Sequence, residues 1–258
     1  MNDSITSREV MIEFKDVHKS FGNNYVHRGV DLTIHKGETI TIIGGSGQGK
    51  TVLLKELTGL MSPDMGQVVV GGRDVTRMKE RDLLQIRKDV GFLFQGAALF
   101  DSFNVKENIA YPLREHFKLD EEEIERRVHE KLRMVGLGDP AVEKLMPVEL
   151  SGGMRKRVGL ARAIATDPKI IIYDEPTTGL DPTNVRRINR LIRDMQSKLG
   201  VTSIAVTHDM ASIFEFSDRM AMIWKGRIIG VGTVDEMRNS ENDIIREFIA
   251  GLLPMDDI

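Results

Sequence analysis

The sequence predicts an α/β fold in which a buried strand turns through a glycine-rich loop into a helix, with an antiparallel β edge and an inserted helical subdomain. Three observations carry that prediction. Thr39-Ile40-Thr41-Ile42-Ile43 is a short, nearly continuous apolar strand, the kind covered on both faces in a parallel sheet. Further strand-like runs lie on either side of a stretch, about 96–160, whose apolar residues recur at helical spacing. The chain of 258 residues, 41% apolar and 29% charged, is long enough to enclose a sizeable core.

The elements follow in order. Ile12 and Phe14 alternate with Glu13 and Lys15, and Val30, Leu32 and Ile34 alternate with Asp31 and Thr33, the period of half-buried strands. A turn at His35-Lys36-Gly37-Glu38 leads into the buried strand, and Val52, Leu53, Leu54 and Leu57 mark the helix after the glycines. Val68-Val69-Val70 runs into Gly71-Gly72, and a helix-like segment from Asp82 to Lys88 precedes a strand from Val90 to Phe94. Asp120 and Glu123 form a capping-box signature before Ile124, Val128, Leu132 and Val135, with Glu122–Arg126 and Glu123–Arg127 as i,i+4 pairs. Strands return at 170–173, 203–206 and 220–224, the last turning through Lys225-Gly226 into Arg227-Ile228-Ile229. No internal repeat interrupts this order. One composite domain is expected over 9–240, followed by an amphipathic helix and tail over 241–258.

Composition removes several function classes. With 36 basic and 39 acidic residues the net charge is −3, which argues against a nucleic-acid partner. The chain has no cysteine, so disulfides, thiolate nucleophiles and thiolate-ligated zinc are excluded. No apolar run approaches the roughly 18 residues of a membrane helix, and the first residues lack the features of a signal peptide. Any dealings with a membrane are expected to pass through a partner.

Gly44-Gly45-Ser46-Gly47-Gln48-Gly49-Lys50-Thr51 fits the phosphate-loop pattern G-x-x-x-x-G-K-[ST], placed between strand and helix as the motif requires. Glycines let backbone N–H groups turn inward around a phosphate, and the helix N-terminus adds partial positive charge. Lys50 is suited to reach β- and γ-phosphates and Thr51 to offer its hydroxyl to Mg²⁺. Asp174 and Glu175 end the apolar strand 170–173, at the carboxyl edge where parallel sheets bind ligands. Asp174 is suited to hold Mg²⁺, and Glu175 to polarise an attacking water. Leu150-Ser151-Gly152-Gly153-Met154 opens another helix and makes a second candidate anion site.

Together these segments resemble the nucleotide-binding domain of ATP-binding-cassette (ABC) proteins, over about Ile12 to Thr233. The resemblance implies that ATP and Mg²⁺ are the cofactors and that two copies pair head to tail. Phe21 stands where the family stacks an aromatic ring on adenine, and Val52 follows Thr51 where many members carry a second Ser/Thr. Gln95 matches the glutamine that contacts Mg²⁺ and the attacking water, and His208 the histidine on the γ-phosphate. Ser151, Gly152 and Gly153 match the family signature, with Met154 replacing its glutamine, and Asp181 matches the D-loop. Gly45 replaces a common proline. None of these departures removes a phosphate or metal ligand.

A finer resemblance, to the ATPases of Mla-type phospholipid transporters, rests on Phe94-Gln95-Gly96-Ala97-Ala98-Leu99-Phe100-Asp101, on 104–116, and on Lys144-Leu145-Met146-Pro147 before the signature. It implies an integral-membrane permease and an MCE-domain lipid-binding protein as partners, a small regulatory subunit as a further one, and a peripheral place on the cytoplasmic face of the bacterial inner membrane. Gly96-Ala97-Ala98 is expected to floor a docking surface for the permease, with Leu99 and Phe100 as apolar walls; core packing is the other reading of that pair. An ABC ATPase for another substrate, or a non-transport ABC ATPase, stays open. Ile244, Ile245, Phe248, Ile249 and Leu252 make one apolar stripe. Its default is packing on its own domain, and docking on the second ATPase or a regulator is the alternative.

Overall fold

The computed structural model describes residues 9–252. The chain begins β1 (Val10–Phe21), β2 (Asn24–His35), β3 (Thr39–Ile43), α1 (Lys50–Leu57), β4 (Met65–Val70), β5 (Arg73–Asp74) and α2 (Glu80–Lys88). It continues β6 (Val90–Leu93), α3 (Val105–His116), α4 (Glu121–Met134), α5 (Gly152–Ala163), β7 (Ile170–Asp174) and α6 (Pro182–Leu199). It closes with β8 (Thr202–Val206), α7 (Met210–Phe216), β9 (Arg219–Trp224), β10 (Arg227–Thr233), α8 (Val234–Arg238) and α9 (Asp243–Ala250). The described residues form two compact units: one takes the chain up to Ile86 and again from Thr202, the other is Arg87–Val201.

In the first unit β1 lies between β2 and β4 in an antiparallel sheet of order β2-β1-β4-β5. The alternation read in the sequence is realised there, since Ile12, Phe14, Val30, Leu32 and Ile34 all face inward. Beside it β3 runs parallel to both β8 and β9, and β9 turns through Lys225-Gly226 into antiparallel β10. All five residues of β3 are buried, as expected of a strand covered on both faces. Burial pushes the Glu38 carboxyl above its usual range; its Oε1 accepts from the His35 amide at 2.7 Å and from Arg219 Nη1 at 3.0 Å, which offset part of that cost. The apolar stripe of α9 packs on its own unit: Ile245 is buried against Ile213, Met222, Trp224 and Met237, with Ile244, Phe248 and Ile249 beside it. Leu252 stays exposed. The end of the expected tail, 253–258, lies outside the described residues.

The second unit pairs β6 and β7 in parallel and surrounds them with α3 to α6. Asp120 caps α4, its side chain accepting from the Glu123 amide at 2.8 Å. The other half of the expected capping box is absent, because Arg126 and Arg127 take the Glu123 carboxylate instead. That rivalry also corrects the surface pairs: Glu123–Arg127 forms, whereas Arg126 turns to Glu123 and Glu130 rather than Glu122. Lys131 is buried and held by Asp167 at 2.5 Å and Glu130 at 2.9 Å.

Two predictions follow from these contacts. Asp64 accepts from Lys19 Nζ, the Ser20 amide and the Ser20 hydroxyl at 2.7–2.9 Å, which tie down the end of β1 that carries Phe21. Those bonds, the Lys19 one first, lower its pKa from 3.8 to about 2. The charged form is favoured by folding, so the stabilisation is present above about pH 4 and fades as pH falls toward 2. Asp64→Asn should therefore melt earlier than the parent at pH 7, with the gap closing by pH 2.5; a gap independent of pH would contradict this. Separately, a Cβ on Gly91 of β6 would sit 2.2 Å from the Ala163 carbonyl oxygen. Gly91→Ala should lose about 1–3 kcal/mol in denaturant unfolding.

Candidate functional site

The first unit builds the phosphate loop from close approach. Directly after β3, Gly44 has φ +146°, and a Cβ there would meet the Ile223 carbonyl oxygen of β9 at 2.4 Å. At the far end Gly49 has φ +94°, and a Cβ would meet His27 Nε2 at 2.7 Å and Val26 Cγ1 at 2.6 Å. Only glycine fits either position. His27 and Glu56 are both buried under the loop: His27 Nε2 lies 3.1 Å from the Gly49 carbonyl and Nδ1 3.1 Å from Glu56. Nothing in the sequence around His27 marks it, and only the fold shows it as the loop's support. Gln48 Oε1 accepts from the Lys225 amide at 2.7 Å and fastens the loop's crest to the β9–β10 turn. Ser46 and Gly47 are exposed, as is Thr51 in the first turn of α1; Gly45 is buried and Val52 half-buried. Lys50 Nζ donates to the carbonyls of Gly44 and Gly45, each at 2.7 Å, so its ammonium lies over the hollow of the loop.

The parallel register of β3 and β8, Ile42 opposite Val206, brings the loop and His208 to one carboxyl edge. His208 is exposed just past β8, between Thr207 and Asp209, which caps α7 through the Ser212 amide and hydroxyl. Phe21, at the end of β1, is 48% exposed, with Lys19 Nζ over one face of its ring at 5.7 Å from the centroid; the opposite face is the one suited to stack on a planar ligand.

The second unit repeats the device. Leu93 lies opposite Tyr173 in the parallel β6–β7 pair, so Gln95, Asp174 and Glu175 emerge from the same edge. Gln95 is exposed, Asp174 half-buried. Glu175 has φ +47°, a left-handed conformation that costs a side-chain-bearing residue about 1–2 kcal/mol. Its carboxylate accepts from the Thr178 hydroxyl at 2.9 Å, and its carbonyl from Lys156 Nζ at 2.8 Å. Ser151 caps α5, accepting from the Met154 amide at 3.2 Å. Gly152 lies exposed, and a Cβ on Gly153 would meet Asn184 Oδ1 at 2.4 Å. Asn184 in turn donates to Asp181, the cap of α6, whose carboxyl is held below its usual range by those bonds. The signature turn and the Asp181 turn are thus braced against each other.

Thr51 in the first unit and Asp174 in the second each offer a hard oxygen donor, the chemistry that suits Mg²⁺. Among the described residues no cluster of His, Cys, Asp or Glu would cage a metal by protein ligands alone.

The segment after Gln95 departs from expectation. Ala97 is 1% exposed and packs its Cβ against Gly159 of α5, so it belongs to the core and not to a docking floor. Arg162 Nη1 and Nη2 donate to the carbonyls of Ala98 and Ala97 at 2.7 and 2.8 Å, fixing both at positive φ. Leu99 is half-buried. A groove of about 270 Å³ is walled instead by Phe94, Ala98, Phe100, Tyr111 and Pro112, with Arg87, His116 and Arg162 at its polar positions. Phe100 is tilted against Tyr111 at 4.9 Å and Phe103 at 5.3 Å. Buried Asn108 holds the loop by bonding the amide and carbonyl of Phe100 and the carbonyl of Phe103. Burial, with Lys88 nearby, lowers the His116 pKa below its usual value.

Comparison with known proteins gives the family. The ABC transporter family model matches residues 27–178. The chain is 42% identical over 242 residues to a protein named a probable ribonucleotide transport ATP-binding protein, mkl, of Mycobacterium tuberculosis, covering 94% of this chain and 67% of that one. It is 39% identical to the intermembrane phospholipid transport system ATP-binding protein MlaF of Haemophilus influenzae, covering 93% of this chain and 90% of that one. Among solved structures, the ATP-binding cassette MJ0796, a dimer in a post-hydrolysis state bound to ADP and Pi, superposes with TM-score 0.79 at 31% identity, covering 87% of this chain and 99% of that one. The chain belongs to the ABC transporter family, as an ATP-binding and ATP-hydrolysing cassette.

Proposed function

We propose that this cassette drives a membrane permease that moves phospholipids between the membranes of a bacterial envelope. Phosphates of ATP rest on the amides of residues 44–51, with Lys50 swinging from the loop carbonyls to the β- and γ-phosphates. Phe21 stacks on the adenine. Thr51, Gln95 and Asp174 are the residues that would hold Mg²⁺, which when bound would neutralise phosphate charge. Glu175 takes a proton from, or orients, the attacking water, and His208 donates to the γ-phosphate. Ser151, Gly152, Gly153 and Asp181 face the nucleotide of a second copy, so two chains close head to tail on two ATP molecules. Hydrolysis loosens that sandwich and moves the permease.

The observation that carries the membrane half is the aromatic groove beside Gln95. Phe94, Phe100 and Tyr111 are 40–42% exposed around it, an apolar wall on which the Arg162 guanidinium lies over the Phe100 ring at 5.8 Å. A permease helix laid there would touch β6, the strand that pairs with β7 and its terminal Asp174 and Glu175. Among the described residues no helix is long and apolar enough to cross a membrane, so a separate spanning subunit fits. The MCE protein and small regulatory subunit belong to the same reading, as does the cytoplasmic face of the inner membrane. Phospholipid as cargo is supported by the 94–101 segment and by the MlaF relative; the mkl relative keeps a second cargo, ribonucleotide, in view. Stimulation of hydrolysis in the assembled complex by phospholipid and not by ribonucleotide would support the first, and the reverse would replace it.

Glu175→Gln should retain ATP while hydrolysis falls by about 10² or more, whereas Lys50→Ala should weaken ATP binding itself. Equal turnover by Glu175→Gln and the parent would remove Glu175 as the base. For the groove, Phe100→Ala should weaken co-purification with the membrane subunit by about 2 kcal/mol and leave ATP binding by the isolated cassette intact. Unchanged co-purification would place the docking surface elsewhere.

A further inference from the structure

Two lysines of the second unit are buried, and they are treated differently. Lys131 is neutralised by direct bonds to the carboxylates of Asp167 and Glu130. Lys156, 4% exposed on α5, makes its one hydrogen bond among the described residues to a neutral acceptor, the carbonyl oxygen of Glu175, at 2.8 Å. A buried ammonium is costly unless something nearby requires it. Burial lowers its pKa, and the charges of Glu175 and Asp174 draw it back up.

The acceptor explains the placement. Glu175 is held at φ +47°, where a side chain crowds the following carbonyl. Its backbone would relax to an ordinary conformation unless the peptide were fastened, and relaxation would swing the carboxylate away from the edge of β7. Among the groups that fasten it, the Thr178 hydroxyl holds the carboxylate at 2.9 Å, while the carbonyl accepts from Lys156 Nζ at 2.8 Å and, at a longer 3.4 Å, from the Thr178 amide. The lysine stands on the helix that Ser151 caps, five positions past the cap, so the aim of Glu175 is tied to the seating of the signature helix.

We propose that Lys156 is a positioning residue for hydrolysis: its ammonium locks the strained Glu175 peptide and couples the catalytic carboxylate to the signature helix. The inference rests on Glu175 acting on the attacking water. Lys156 touches neither nucleotide nor water in this scheme, so its loss should appear in kcat and not in the binding of ATP.

The test compares Lys156→Met, Lys156→Arg and Glu175→Gln as full-length chains, measuring kcat and KM for Mg-ATP, equilibrium ATP binding and thermal melting. Methionine keeps the length and packing of the side chain and removes the donor. Lys156→Met should lower kcat at least tenfold with KM and ATP affinity within twofold of the parent, and Lys156→Arg should recover most of the loss. A Lys156→Met kcat within twofold of the parent, beside an inactive Glu175→Gln, would overturn the clamp and leave Glu175 in its role. Loss of ATP affinity in parallel with kcat, or an arginine variant as slow as the methionine one while melting like the parent, would also overturn it. Parental turnover by Glu175→Gln would instead defeat the reading on which the clamp rests.

Discussion

The first unit depends on how closely the two ends of the phosphate loop can be approached, by backbone at Gly44 and by side chains at Gly49. Gly44 sits against the Ile223 carbonyl and Gly49 against His27, each nearer than any side chain allows. Between these two pinches the loop has one path, and its amides and the start of α1 turn toward the same hollow. The surrounding architecture serves that path. Buried β3 delivers the chain to Gly44, β9 supplies the wall, and His27 with Glu56 props the exit.

The second unit stores strain where the first stores close contact. Ala97, Ala98 and Glu175 all take positive φ without being glycine. Each is fastened by a long basic side chain from α5, Arg162 for the alanines and Lys156 for the glutamate. One helix, opened by Ser151 and the signature glycines, therefore braces both the segment that walls the aromatic groove and the segment that carries the Glu175 carboxylate. Helix α5 is thus a mechanical element as well as a candidate anion site.

The sequence made the strands, the phosphate loop and the carboxyl-edge acids legible because each is a local pattern: alternation, a fixed glycine spacing, acids at the end of an apolar run. Residues 39–43 and 170–174 needed no long-range information to be placed. What it hid were pairings set by distant chain. His27 and Lys156 read as ordinary polar residues until the fold buries them against Gly49 and Glu175. Ala97 looks like a surface residue among small neighbours, yet Gly159 draws it into the core. The capping box at Asp120 failed for a similar reason, because two arginines outbid the backbone for one carboxylate. Local chemistry showed which residues were candidates, and only packing decided among them.

The account centres on the phosphate loop as the seat of ATP, with Lys50 as its moving part. The most direct measurement is a crystal structure of the Glu175→Gln chain with Mg-ATP. The β- and γ-phosphates should lie on the amides of residues 46–51, with Lys50 Nζ lifted from the carbonyls of Gly44 and Gly45 onto phosphate oxygen. A structure in which Lys50 keeps both carbonyls while the nucleotide binds elsewhere would contradict the account.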